Sequence, residues 1–130
     1  MKKQVVNLPG TGAAVPLSQV VIAGGLAFAS GQVGRDLTTR QAASGVEAQT
    51  ARCIENARLV LEAAGTSLDN VVKTTVFLKH TADFAAMNKV YQSYFPVDPP
   101  ARSTVQANLM SDELLVEIEL IATMPGSAER

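Results

Sequence analysis

The chain has no tryptophan, and in 130 residues it has one cysteine and one histidine. A lone thiol, Cys53, excludes an internal disulfide framework, and Cys53 with His80 cannot supply an ordinary zinc site. No apolar run approaches the ~20 residues of a membrane-crossing helix. Met1-Lys2-Lys3 leads into Gln4, Asn7 and Pro9-Gly10 instead of an apolar core, so no signal peptide is expected and the chain reads as cytoplasmic. An excess of either charge is missing too. Eleven Lys and Arg stand against 12 Asp and Glu, for a net charge of -1, and among the basic residues only Lys2 and Lys3 are adjacent. A protein that binds nucleic acid by neutralising phosphates shows a basic excess or stripe, so no nucleic-acid partner is expected. Charge as a whole is scarce, at 18% of residues against the ~25% of ordinary soluble domains. A small domain has much surface for its volume, so this apolar excess points to burial against another copy of the chain.

What is present fits one domain spanning 1–130, with a short tail from about 124 onward and no repeat or linker. Two apolar runs, Gln19 to Ala23 and Leu26 to Gln32, flank Gly24-Gly25 and read as a β-hairpin, because glycine accepts the positive φ of a two-residue turn. Gly31 and Gly34 are expected to break the second strand, and Arg35 to Ser44 reads as a loop. From Val46 to Ala64 apolar residues recur at three- and four-residue spacing, opposite Glu47, Arg52, Glu55, Arg58 and Glu62: an amphipathic helix capped by Gly65. Asn70 to His80 alternates with period two, with Val72, Thr74, Val76 and Leu78 on one face. A second helix follows Asp83, with Phe84, Met87, Val90, Tyr91 and Tyr94 as its stripe, and Pro96 and Pro99-Pro100 end it. Two strands close the chain, Ala101 to Leu109 and Leu114 to Thr123. The order β-β-α-β-α-β-β implies an α+β fold, a mixed sheet with two helices packed on one face. The helix-free face, with Phe77 and Ile121, is where another subunit would sit.

Chemistry is concentrated at the last two strands. If they pair as a hairpin around Ser111-Asp112, Arg102 and Glu117 approach one another. A guanidinium grips a carboxylate through two parallel hydrogen bonds, and a carboxylate can deprotonate water or return a proton to a leaving nitrogen. The same pair also reads, more plainly, as a structural ion pair at a subunit interface. Cys53 lies on the apolar stripe of the first helix and reads as a buried small hydrophobe. His80 reads as a solvated residue at a strand end, and Tyr91, Tyr94 and Phe95 as core or interface. Glu119 shares a face with Glu117.

Several segments, taken together and in order, resemble one family: Ser30-Gly31-Gln32, the strand Asn70 to Leu78, Asp83-Phe84 through Asn88 to Tyr91, Pro100-Ala101-Arg102-Ser103 and Val116-Glu117-Ile118-Glu119. They resemble the Rid/YjgF family of reactive intermediate deaminases, also called L-PSP endoribonucleases, from about Pro16 to Ala122. The resemblance implies a chorismate-mutase-like fold, a homotrimer with clefts between subunits, and no cofactor or metal. It implies hydrolysis of reactive 2-imino and enamine acids, such as 2-iminopropanoate and 2-aminoacrylate, to 2-keto acids and ammonia. By position, Arg102 matches the family's carboxylate-binding arginine and Glu117 the acidic residue that activates water. Ser30, Gly31 and Asn88 match cleft residues.

Two positions depart from the family pattern. Leu17 stands where the archetypal deaminases have a tyrosine that reaches the substrate, and Thr104 where they usually have a cysteine. Leu17 makes that wall apolar and favours a larger or more hydrophobic imine, whereas Thr104 keeps a polar side chain. Two other functional classes are consistent with the family: a non-catalytic trimer binding small carboxylates as signals, and an RNA-cleaving translation inhibitor. The second is opposed by the charge balance and by the absence of a histidine pair.

Overall fold

The computed structural model describes residues 2–12 and 14–126. The strands are β1 (Gln4–Val6), β2 (Val20–Ala23), β3 (Leu26–Val33), β4 (Val71–Leu78), β5 (Ala101–Gln106) and β6 (Val116–Thr123). Helix α1 (Val46–Ala63) joins β3 to β4, and α2 (Phe84–Tyr94) joins β4 to β5. One six-stranded mixed sheet results, in the order β1-β2-β3-β6-β4-β5. The β4–β5 pair is parallel, and the other neighbours are antiparallel. Both helices pack on one face, as expected.

Local chemistry accounts for the best-defined elements. Gly24 and Gly25 have φ of 61° and 78°, the geometry of a tight hairpin turn between β2 and β3. Gly65, at φ 92°, ends α1: its N–H bonds the Glu62 carbonyl at 3.1 Å and that of Thr66 bonds the Leu61 carbonyl at 3.0 Å. These two bonds form a Schellman cap. The apolar stripe of α1, including Ile54, Ala57, Val60 and Leu61, is buried against Ala27, Val76, Ile118 and Leu120 of the sheet. Burying each of the larger side chains contributes about 1.5–3 kcal/mol. Strand β6 alternates buried Val116, Ile118, Leu120 and Ala122 with Glu117, Glu119, Ile121 and Thr123. Cys53 is fully buried and its thiol meets the Val116 carbonyl at 3.6 Å; burial pushes its pKa well above the ordinary value, so it is inert. His80 is exposed.

The structure differs from the sequence reading at five places. Gln4–Val6 forms an edge strand on β2, stabilised by ladder bonds that the single apolar pair Val5-Val6 is too short to advertise. Gly31 does not end β3, which runs on to Val33 through a register shift between Ala29 and Gln32. A second shift, between Val71 and Lys73, buries Val71 and leaves Val72 exposed, inverting the expected face at the start of β4. Phe84, the first residue of α2 and expected on its buried stripe, is exposed.

The fifth difference matters most. β5 and β6 are not a hairpin. The α2 crossover lays β5 parallel to β4 at the sheet edge, and β5 ends at Gln106 instead of Leu109. The following loop then passes over the end of β4, where Ala107 N–H bonds the Leu78 carbonyl at 3.0 Å and Lys79 N–H bonds the Leu115 carbonyl at 2.9 Å. β6, with apolar residues on both faces, inserts between β3 and β4, where both of its edges are hydrogen-bonded. The helix-free face carries Phe28, Phe77, Val105 and Ile121, and among the described residues no further layer covers it. The tail at 127–130 lies outside the described residues. No helix among the described residues is long and apolar enough to cross a membrane.

Candidate functional site

Glu117 is held over the bulge in β3. Ala29 pairs with Leu120 and Gln32 with Ile118, so two residues, Ser30 and Gly31, stand opposite Glu119 alone. The extra residue turns the strand and brings the Gly31 backbone beneath the Glu117 side chain. A Cβ at position 31 would fall 2.9 Å from Glu117 Cδ and closer still to Oε2. Only glycine leaves the Glu117 carboxylate in this position, and the reason is space, since Gly31 is not among the residues with positive φ. Among the described residues nothing donates to or pairs with the Glu117 carboxylate, which is half-buried. Burial, and then the like charge of Glu119, raise its pKa above the ordinary 4.5. Such a carboxylate is a stronger base and is poised to exchange a proton.

A cleft of about 390 Å³ opens beside it, lined by Leu17, Ser30, Gly31, Leu37, Arg40 and Glu117 among others. Its wall is built by Gln19. The Gln19 side chain accepts from Leu8 N–H at 2.6 Å and donates to Thr11 Oγ1 at 3.0 Å, and its backbone N–H donates to Asn7 Oδ1 at 2.7 Å. Its carbonyl accepts from Ser30 N–H at 2.9 Å, and Ser30 Oγ donates to the Ser18 carbonyl at 2.6 Å. The N-terminal segment is thereby tied to the bulge, and Ser30 is fixed in place. Asn56 of α1 secures the floor, donating to the carbonyls of Val33 and Arg35 at 3.2 and 2.7 Å.

Arg102 occupies a different place. It pairs in register with Thr74 and points to the helix side, where its guanidinium carbon lies 4.8 Å from the centre of the Tyr91 ring and 5.7 Å from that of Phe84. Tyr91 OH and Thr74 Oγ1 share a buried 2.7 Å hydrogen bond that holds the ring. Among the described residues Arg102 has no acidic partner, so its charge is free for a ligand. Asn88 of α2 lines the same groove. Thr104, two residues further along β5, faces a separate groove beside Leu78 and Phe84. Asn88 Oδ1 and Thr104 Oγ1 are buried without a hydrogen-bond partner, a condition that proteins rarely leave unanswered.

The expected site residues therefore divide into two sets. Leu17, Ser30, Gly31 and Glu117 share one cleft; Arg102 and Asn88 share a groove, with Thr104 on the same strand. Arg102 and Glu117 do not meet within one chain, because β4 separates their strands and their side chains leave opposite faces of the sheet: Arg102 is in register with buried Thr74 and Glu117 with Phe77. Sequence reasoning passed over Tyr91 as a support for Arg102, since its place on the apolar stripe gave no sign of a cation beyond it. It also passed over Arg40. Among the described residues no group of three or more His, Cys, Asp and Glu could hold a metal ion.

An open mixed sheet covered by two helices, with a bulge that seats a carboxylate, defines a fold that known proteins share. The family model described as Endoribonuclease L-PSP matches residues 10–124. A RutC family protein of Pyrococcus horikoshii is 44% identical over 108 residues, covering 82% of this chain and 86% of that protein. The chloroplastic Reactive Intermediate Deaminase A of Arabidopsis thaliana is 40% identical over 126 residues, covering 95% of this chain and 67% of that one. The crystal structure of E. coli TdcF with bound serine superposes with a TM-score of 0.85 at 32% identity, over 92% of this chain and 98% of that one. The chain belongs to the endoribonuclease L-PSP family, the Rid/YjgF proteins.

Proposed function

We propose that this chain hydrolyses reactive 2-imino acids, and the enamines that tautomerise to them, to 2-keto acids and ammonia, in a cleft completed by a second copy of itself. It acts as a 2-iminobutanoate/2-iminopropanoate type of deaminase, with 2-iminopropanoate and 2-aminoacrylate as representative substrates. The observation that carries the reading is the separation just described. One half-site holds an unpaired guanidinium, the other a half-buried carboxylate of raised pKa, and neither suffices alone. A homotrimer, in which each helix-free face is covered by neighbours, brings the two halves together, and its need for apolar surface agrees with Phe28, Phe77, Val105 and Ile121. The family includes a Reactive Intermediate Deaminase A, and TdcF is seen with a small amino acid bound.

In this mechanism Arg102 of one protomer binds the substrate carboxylate through its planar fork of donors, and the Tyr91 ring supports the guanidinium from one side. The iminium carbon is then presented to a water held by Glu117 of the neighbour, with Ser30 and Gly31 shaping the wall. As the water oxygen attacks the carbon, Glu117 takes its proton and a neutral carbinolamine forms. Glu117 returns that proton to the nitrogen, the carbon–nitrogen bond breaks, and the hydroxyl proton passes to the departing ammonia as the carbonyl forms. Iminium and water become keto acid and ammonium, and no redox step or cofactor is used. Orientation supplies much of the acceleration, because protonated imines are already electrophilic.

The test generates 2-iminopropanoate with an amino-acid oxidase, traps the remaining imine with semicarbazide, and compares the wild type with Arg102→Ala. Wild type is expected to deplete the imine and Arg102→Ala to lose at least about 100-fold of that activity. Unchanged activity in Arg102→Ala sinks the reading. A wild type that binds 2-ketobutyrate yet accelerates no imine instead supports the non-catalytic carboxylate-binding trimer, which the apolar Leu17 favours.

A further inference from the structure

The cleft beside Glu117 contains a cation that the proposed chemistry does not use. Asp36 to Gln41 form a tight turn: Asp36 Oδ1 accepts from Thr38 and Thr39 N–H at 2.8 and 2.9 Å, Arg40 N–H bonds the Asp36 carbonyl at 2.9 Å, and Asp36 N–H bonds the Gln41 carbonyl at 3.0 Å. The turn places Arg40 at φ 64°, in the left-handed region that glycine occupies at no cost and an arginine occupies only with strain. From there Arg40 lines the cleft with Leu17, Leu37 and Glu117. Arg35, also on that lining, is neutralised: its Nε and Nη2 donate to Glu113 Oε1 at 3.2 and 2.5 Å. Arg40 has no such partner. Among the described residues no acidic group and no hydrogen bond satisfies its guanidinium.

The surroundings state what would satisfy it. At about 390 Å³ the cleft falls in the size range of sites for much larger ligands than a three-carbon acid. Leu17 and Leu37 give it apolar wall that suits methylene groups and offers a hydroxyl nothing. An unpaired guanidinium on such a wall calls for an anion, and a planar carboxylate fits its fork. We propose that Arg40 is a specificity-determining residue, and that the preferred substrates are linear 2-imino acids whose side chain ends in a second carboxylate. Arg102 of the neighbour takes the carboxylate next to the imine, Leu17 and Leu37 take the chain, and Arg40 takes its far end. The inference rests on the deaminase reading for its kinetics but not for its binding.

Two measurements keep the two claims distinct. The first compares kcat/KM on 2-iminoglutarate and on 2-iminopropanoate for wild type, Arg40→Gly and Arg40→Lys, glycine being chosen because it relieves the backbone. Wild type is expected to prefer 2-iminoglutarate, and Arg40→Gly to reduce the ratio of the two by about 10- to 100-fold, the range of one charge-assisted contact. Arg40→Lys restores part of the preference. A wild type that prefers the three-carbon imine, or a ratio unmoved by Arg40→Gly, overturns the proposal. The second measurement is calorimetric binding of 2-oxoglutarate and 2-oxobutanoate, which needs no turnover. Tighter 2-oxoglutarate binding that is lost in Arg40→Gly sustains the role of Arg40 even if no imine is hydrolysed, and equal binding of the two acids overturns it.

Discussion

Replacing Gly31 with alanine tests the site without substituting either proposed functional group. The added Cβ lies 2.9 Å from Cδ and 3.1 Å from Cγ of Glu117, where ordinary contact begins at 3.4 Å. The carboxylate must therefore retreat by about half an ångström at Cδ, and by more at its tip. Because the neighbour that yields is the free end of a side chain, and Gly31 is outside the positive-φ region, the fold has little reason to suffer. A reacting group displaced by about 1 Å costs on the order of 100-fold in rate, or about 2.7 kcal/mol of transition-state stabilisation. Gly31→Ala is thus expected to keep its melting temperature within a few degrees of wild type while kcat/KM on 2-iminopropanoate falls about 10- to 100-fold. The semicarbazide assay reads the second quantity and thermal unfolding the first. A folded Gly31→Ala protein with kcat/KM within about twofold of wild type refutes the placement of Glu117 at the reacting centre.

Two further outcomes follow from the same geometry. Since burial raises the Glu117 pKa, the folded chain holds that proton to higher pH than the unfolded chain, whose value is near 4.5, and stability contributed by the protonated form is lost as pH rises from there through the folded value. Glu117→Gln should therefore melt higher than wild type at pH 7, with a gap that closes toward pH 4, while wild-type kcat rises with pH through an apparent value above that of an ordinary glutamate; melting curves and a pH–rate profile check both. For Tyr91, the phenylalanine variant keeps the ring under Arg102 but strands the buried Thr74 hydroxyl, so it should lose about 1–2 kcal/mol of stability with little change in KM. Tyr91→Leu removes the ring as well and should raise KM, which denaturant titration together with steady-state kinetics distinguishes from a purely structural loss.

The parts of the fold legible in the sequence are those decided within a few residues of themselves. The three- and four-residue stripe of α1, its Gly65 cap and the Gly24-Gly25 turn each need only local geometry. Features set by a partner strand were hidden. The bulge at Ser30-Gly31 exists because β6 pairs on both sides of it, and the shift at the start of β4 likewise depends on β6. β1 is a strand because β2 offers it an edge, while Val5-Val6 alone is too short a run to mark one. The candidate site divides along the same line. Arg102 and Glu117 were visible as residue types, but adjacency in sequence suggested one hairpin, whereas the parallel crossover puts β4 between them. Arg40 was hidden in a loop, since nothing in Asp36 to Gln41 shows that its turn faces the cleft.

The central claim is that Arg102 and Glu117 act together only across two copies of the chain. Mixing Arg102→Ala with Glu117→Gln tests it most directly: the two inactive proteins are co-refolded at equal amounts and assayed on 2-iminopropanoate. In a randomly mixed cyclic oligomer, about one cleft in four receives an intact Arg102 from one protomer and an intact Glu117 from its neighbour. The account predicts activity recovering to about a quarter of wild type, with the parent proteins alone remaining inactive. A mixed assembly as inactive as its parents contradicts it.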